Sequence, residues 1–295
     1  MREILNNYYL INPGAWISIC IVFLSVLTSW ALNYSAPKVR VFGTLLASLG
    51  CFIIASWFFL FVINSGLLEE PKLNQTPLDS AKPTLLWIQS FTAMLTGVFL
   101  LFIAKLQSKG SAVLVLTAQN EKDRYGRISR LLHWTIAILF ISLIPMGIFA
   151  SMIPEETSYR NAYYVVHKTI GVTVFLLVTV RLIWNKVSQR PPLDKSLSLT
   201  EQKLAHRVHN TLYFMMLFIP ITGFMMTSYH GYGTFFFFWE LAPLWEQSNV
   251  YKIWGGFHKY LLPYLVYIVL GAHILGALKH QLIDKHDSAF KRMVS

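Results

Sequence analysis

Long apolar runs separated by short polar linkers set the pattern of this chain. A stretch of roughly 20 apolar residues is what a helix needs to cross ~30 Å of hydrocarbon. Seven segments meet that length, at about 14–33, 41–63, 84–104, 131–153, 163–184, 208–228 and 257–278. The linkers carry Pro, Asn, Asp and Ser, and one further apolar stretch, 112–116, is too short to span. The first run has almost no positive region before it and no small-residue cleavage site after it, so it is expected to stay as a span. The pattern predicts an all-α integral membrane protein with seven transmembrane helices.

Four histidines interrupt these segments: His133, His167, His258 and His273. Ionisable groups at membrane depth are costly and mark a cofactor, an ion path or a proton relay. His258 and His273 share the last segment, and their spacing puts them ~22 Å apart along a helix axis, most of the hydrocarbon thickness.

Composition supports the membrane class, with 55% hydrophobic and 13% charged residues and a mean hydropathy of +0.49; no soluble globular class has that balance. The net charge of +11 invites a nucleic-acid reading. The basic residues lie in the linkers, however, where they act as topology signals, and no nucleic-acid partner is expected. Loops 34–40, 105–130, 181–207 and 279–295 hold 18 of the 25 Lys and Arg, whereas 1–12, 64–83, 154–168 and 229–259 hold 7. The N-terminus is therefore expected outside and the C-terminus in the cytoplasm, as an odd number of spans requires. His133 and His273 then lie near the cytoplasmic face, and His167 and His258 near the outer face. Matching by depth pairs His133 with His273 and His167 with His258. Cys20 and Cys51 both sit in apolar segments and form neither a disulfide framework nor a metal motif.

Two imidazoles from facing helices fill both axial positions of a haem iron, which suits electron transfer and disfavours oxygen binding. Histidines also serve as polar glue between membrane helices. That alternative explains one such residue more easily than four at matched depths.

Five short motifs carry a resemblance: RISRLLHW at 127–134, YVVHKTIG at 164–171, LAHRVHNTL at 204–212, FHKY at 257–260 and GAHILGALKH at 271–280. In this order they resemble the bacterial cytochrome b561 family, over roughly residues 124–290. The cytochrome b subunits of formate dehydrogenase and nickel-iron hydrogenase share that architecture. The resemblance implies a di-haem four-helix bundle, with His133 and His273 on the inner haem iron and His167 and His258 on the outer one. It also implies two low-spin haem b cofactors and quinone as the diffusible redox partner. The family unit has four spans, and this chain places three more before it.

Weaker candidates flank the bundle. His206 and His209 lie three apart on one helix face and could line a quinone pocket or bond a haem propionate, or be solvated helix-start residues. Arg181, at the cytoplasmic end of the fifth segment, suits a propionate as well as it suits snorkelling, and the same holds for Arg127 and Arg130. Gly171 and Gly271 could admit a porphyrin face or serve plain helix packing. The YHGYG run at 229–233 and the aromatic run 235–239 read as an interfacial belt, with His230 a weaker candidate for electron entry.

The expected organisation is a three-helix membrane module over 1–110, a cytoplasmic linker over 111–130, the di-haem bundle over 131–280 and a cytoplasmic tail over 281–295. The expected place is the bacterial inner membrane. The expected role is quinone-coupled electron transfer, as the cytochrome b subunit of a redox complex whose other subunits dock on residues 1–110 or on the outer face. A stand-alone quinone oxidoreductase of superoxide-oxidase type is the alternative. A haem-binding transporter or assembly protein is the rival from another class, weakened by the lack of an internal repeat and of Cys, Met or carboxylate neighbours.

Overall fold

A computed structural model describes residues 13–32, 37–64, single positions between 94 and 108, and then 117–151, 153, 160–193, 196–284 and 291–294. Its helices are α1 (Pro13–Leu32), α2 (Pro37–Asn64), α3 (Arg127–Ala150), α4 (Arg160–Val187), α5 (Leu199–Tyr229), α6 (Val250–Gly255), α7 (Leu262–Leu282) and α8 (Lys291–Val294). A π-helical turn, Gly256–Leu261, joins α6 to α7 in one continuous helical run. Among the described residues, four helical stretches are long and apolar enough to cross a membrane: Arg127–Ala150, Arg160–Val187, Leu199–Tyr229 and Val250–Leu282. They match the last four predicted segments, and α1 and α2 match the first two. The segment expected at 84–104 falls mostly outside the described residues, although the described positions from Met94 to Ser108 are helical. The protein is a multi-pass membrane protein.

The chain forms two compact units. One contains residues 1–26, 116–150 and 154–294, and the other residues 27–115 with 151–153. In the first, α3 packs on α4, α4 on α5, and α5 on α7. Their shared core is aliphatic, with Ile136, Leu139, Ile170, Val174, Val178, Met215 and Val266 all buried. The first half of α1 belongs here too. Ile21 and Val22 lie against that core, and Gly14 is bare where a Cβ would collide with the Ala162 carbonyl oxygen. Large side chains such as Phe214, Ile268 and Leu275 point outward, as lipid permits and water would penalise. In the second unit, the Ser48 hydroxyl donates to the Gly97 carbonyl at 2.8 Å, and Phe52 packs on the bare Gly97 backbone.

Two boundaries differ from the hydropathy pattern. α5 starts nine residues ahead of its apolar run, because Ser198 and Glu201 form a capping box there, each satisfying a free backbone N–H of the first turn. The last helix starts at Val250 rather than near 257. The aromatic run departs from an all-helical reading. Thr234–Phe236 (β1) and Trp239–Leu241 (β2) form a two-stranded antiparallel hairpin. Its tight turn puts Phe237 at φ 55°, a strained conformation for a bulky residue. The turn is held on α4, where the Thr169 hydroxyl accepts from the Phe237 N–H at 3.1 Å and Lys168 donates to the Gly233 carbonyl at 2.7 Å.

Candidate functional site

Two pairs of histidines face one another inside the first unit. His133 from α3 and His273 from α7 have ring centres 6.3 Å apart. His167 from α4 and His258 from the π turn have ring centres 6.2 Å apart. An imidazole nitrogen binds a metal at about 2.0–2.1 Å and lies about 1.1 Å from its ring centre, so two imidazoles on one ion have centres about 6.3 Å apart. Both pairs fit that spacing.

The hydrogen bonding of His133 and His167 argues against polar glue. The Nδ1 atoms of His133 and His167 are buried and lack a hydrogen-bond partner among the described residues. Histidines kept to glue helices together would spend those nitrogens on a neighbouring helix. His258 differs. Its Nδ1 lies 3.1 Å from the Ile219 carbonyl oxygen and 3.2 Å from Thr222 Oγ1. A carbonyl only accepts, so Nδ1 carries the proton and Nε2 keeps a free lone pair. The donor set and its spacing fit a haem iron at each pair.

The π turn contributes to this geometry. One extra residue per turn rotates the side chains that follow, and such bulges recur at functional sites. Here the turn spans Gly256–Leu261 and contains His258.

The remaining candidates divide. His209 lies beside His273, ring centres 5.2 Å apart, too close for both rings to bind one ion between them. His206 is exposed at the start of α5. Arg181 stacks over the Tyr213 ring at 5.6 Å and acts electrostatically on His133, His209 and His273. Asn185 donates to the Tyr213 hydroxyl at 3.2 Å. Just before α3, burial pushes the Tyr125 hydroxyl above the usual phenol range, against the opposing pull of Arg181 and Arg190. A polar cluster of Arg181, Asn185, His209 and Tyr213 therefore adjoins the His133–His273 pair. Asn185 and Tyr213 escaped the sequence reading. The available signal was spacing, since each lies four residues beyond a candidate, Arg181 or His209, and so on the same helix face.

Gly171 and Gly271 face open space, with no described atom within 4 Å of a Cβ built on either. Tight helix packing is thus not what keeps them bare. His230 stacks on Tyr232 and lies 4.2 Å from the Tyr251 ring, an aromatic cluster beyond the end of α5.

The chain is similar to known proteins. The family model described as prokaryotic cytochrome b561 matches residues 124–295. Cytochrome b561 homolog 2 of Escherichia coli (strain K12) is 27% identical over 176 residues, covering 59% of this chain and 93% of the relative. Probable superoxide oxidase CybB of Yersinia pestis is 26% identical over 175 residues, 58% of this chain and 96% of the relative. Cytochrome b561 homolog 1 of Escherichia coli (strain K12) is 22% identical over 180 residues, 58% and 97%. Nearly the whole of each relative is matched by little more than half of this chain.

Proposed function

Because the chain belongs to the prokaryotic cytochrome b561 family, a family of membrane electron-transfer cytochromes b, we propose that it moves electrons across the bilayer between two bis-histidine haem b sites and exchanges them with a quinone. The observation that carries this reading is the pair of imidazole couples at 6.2 and 6.3 Å. His133 and His273 would hold a haem near the cytoplasmic face, and His167 and His258 one near the outer face. Haem b held by two imidazoles supplies a one-electron couple with no open coordination position. The seven spans, the outside N-terminus and the bacterial inner membrane belong to the same reading, supported by the hydropathy pattern and the charge bias of the loops.

The chain's own groups provide what surrounds that couple. Aliphatic packing between the pairs excludes water. His209 is an imidazole able to hold and release a proton beside the His133–His273 pair, where quinone reduction consumes two protons. Arg181 supplies a fixed positive charge for haem carboxylates or a quinone oxygen.

Residues 1–110 lie outside the matched region. They serve as a docking surface for other subunits of a redox complex. One relative favours a second reading, a stand-alone enzyme of superoxide-oxidase type. In it, two superoxide ions each lose one electron at the outer side and leave as oxygen. The two electrons and two protons convert quinone to quinol. Lys168, next to His167, places a cation at that end.

Single substitutions test the assignment. His258→Ala leaves His167 without its partner and is expected to lose that haem alone, while His273→Ala loses the other. Loss of both haems from a folded protein in either variant, or of neither, overturns the pairing.

A further inference from the structure

The two pairs differ in what their rings rest on. Each ring of the His167–His258 pair has its Cε1 edge against a glycine of a neighbouring helix. A Cβ built on Gly223 of α5 would lie 2.7 Å from His258 Cε1, 3.1 Å from Nδ1 and 3.2 Å from Nε2. A Cβ built on Gly147 of α3 would lie 3.2 Å from His167 Cε1. No described glycine stands in this relation to His133 or His273. Both glycines follow an internal proline within three residues, Pro145 in α3 and Pro220 in α5. A proline removes one helical hydrogen bond and locally loosens the helix.

Around Gly223 the seat is built on three sides. Thr222 is fully buried. Its hydroxyl donates to the Ile219 carbonyl at 2.7 Å, which turns its lone pairs toward His258 Nδ1 at 3.2 Å. The Ile219 carbonyl receives the same Nδ1 at 3.1 Å. Carbonyl, hydroxyl and bare backbone thus fix the plane, tautomer and depth of one imidazole, while the π turn delivers it from the other helix.

We propose that Gly223, Thr222 and Gly147 are positioning residues that seat the imidazoles of the His167–His258 pair and set the properties of that haem alone. This rests on the haem reading above. The distances grade the residues. Ordinary carbon contacts begin near 3.4 Å, so a methyl at Gly223 forces the His258 ring away by most of an ångström. Functional sites tolerate only about 0.5 Å of displacement. A methyl at Gly147 asks for a few tenths, which the His167 ring can give. Thr222 acts through charge. Acceptors on the N–H of a ligating imidazole raise its basicity and favour the more oxidised metal.

Full-length protein, purified with its haem, tests the proposal by haem-to-chain ratio and a spectroscopic redox titration. Gly223→Ala is expected to lower the ratio from two to one and to retain the same haem that survives in His258→Ala. Gly147→Ala keeps both haems and shifts the potential of the one that Gly223→Ala loses. Thr222→Val keeps both and shifts that potential upward, and Thr222→Ser restores it. Gly50→Ala in α2, where a Cβ meets nothing within 4 Å, leaves both haems as they were. The surviving haem reports that each variant has folded. If His258→Ala loses one haem and Gly223→Ala none, the haem reading stands and the seat falls. Equal effects on the two haems, or a Thr222→Val protein with unchanged potentials, also overturn the seat. If His258→Ala retains both haems, the ligand assignment itself fails and the seat with it.

Discussion

His273 has two imidazole neighbours, His133 at 6.3 Å and His209 at 5.2 Å, and only the first matches two rings on one iron. His209→Ala is therefore expected to retain both haems while slowing quinone reduction by roughly a hundredfold, the lower end for loss of a positioned proton carrier. A haem-to-chain ratio and a stopped-flow rate separate the two effects. A lost haem would make His209 a ligand. His206→Ala should change neither quantity, since that side chain is exposed. The four paired histidines were legible in the sequence because an ionisable residue deep in an apolar run has no cheap explanation. Gly223 was not legible. A glycine in a membrane helix is ordinary, and its meaning depends on a ring carried by another helix. Asn185 sits near a helix end, where polar residues are expected anyway, and Tyr213, midway along α5, looks like one more aromatic in an apolar run.

Hydropathy located the spanning helices well because it measures the length of chain that lipid will accept. It missed the start of α5, where a capping box rather than an apolar run decides the first turn. It also missed the π turn, which leaves no mark on polarity. The hairpin was read as an interfacial belt for a similar reason. Six aromatic or apolar residues in eight look alike in a belt and in two short strands, and the anchor is Thr169 on a distant helix. Thr169→Val should release the strained turn. The Phe237 amide is then expected to exchange about tenfold faster, which corresponds to a lost bond of ~1.4 kcal/mol. Unchanged exchange would show that packing alone holds the hairpin. At the other end, Lys279 bridges Glu201 of α5 and Asp284 beyond α7, at 2.8 and 2.7 Å. The hydrogen bond from Lys279 holds the Asp284 carboxyl below its ordinary range. A depressed carboxylate contributes stability above its unfolded pKa and loses it as pH falls through the folded one. The tie should thus weaken only in acid, which carbon-detected NMR of Asp284 would follow. As an exposed contact it contributes little.

For the whole molecule, two measurements bear on architecture. A reporter active only outside the cytoplasm is expected to respond when fused in loop 64–83 and stay silent in 185–205. The reverse would exchange which haem faces the cytoplasm. A chain beginning at Glu121 keeps every proposed ligand and the whole of the matched region. It should insert and bind two haems, with reduced thermal stability because Ile21 and Val22 no longer cover the core, and without any co-purifying partner. Failure to bind haem would make the first helices part of the haem fold. The central claim, two bis-histidine haem b groups in one chain, is tested most directly by the haem-to-protein ratio of the purified full-length protein, read with its low-temperature electron paramagnetic resonance spectrum. Two haem b per chain, both low-spin, is the predicted result; a single haem, none, or a stoichiometric high-spin signal would contradict it.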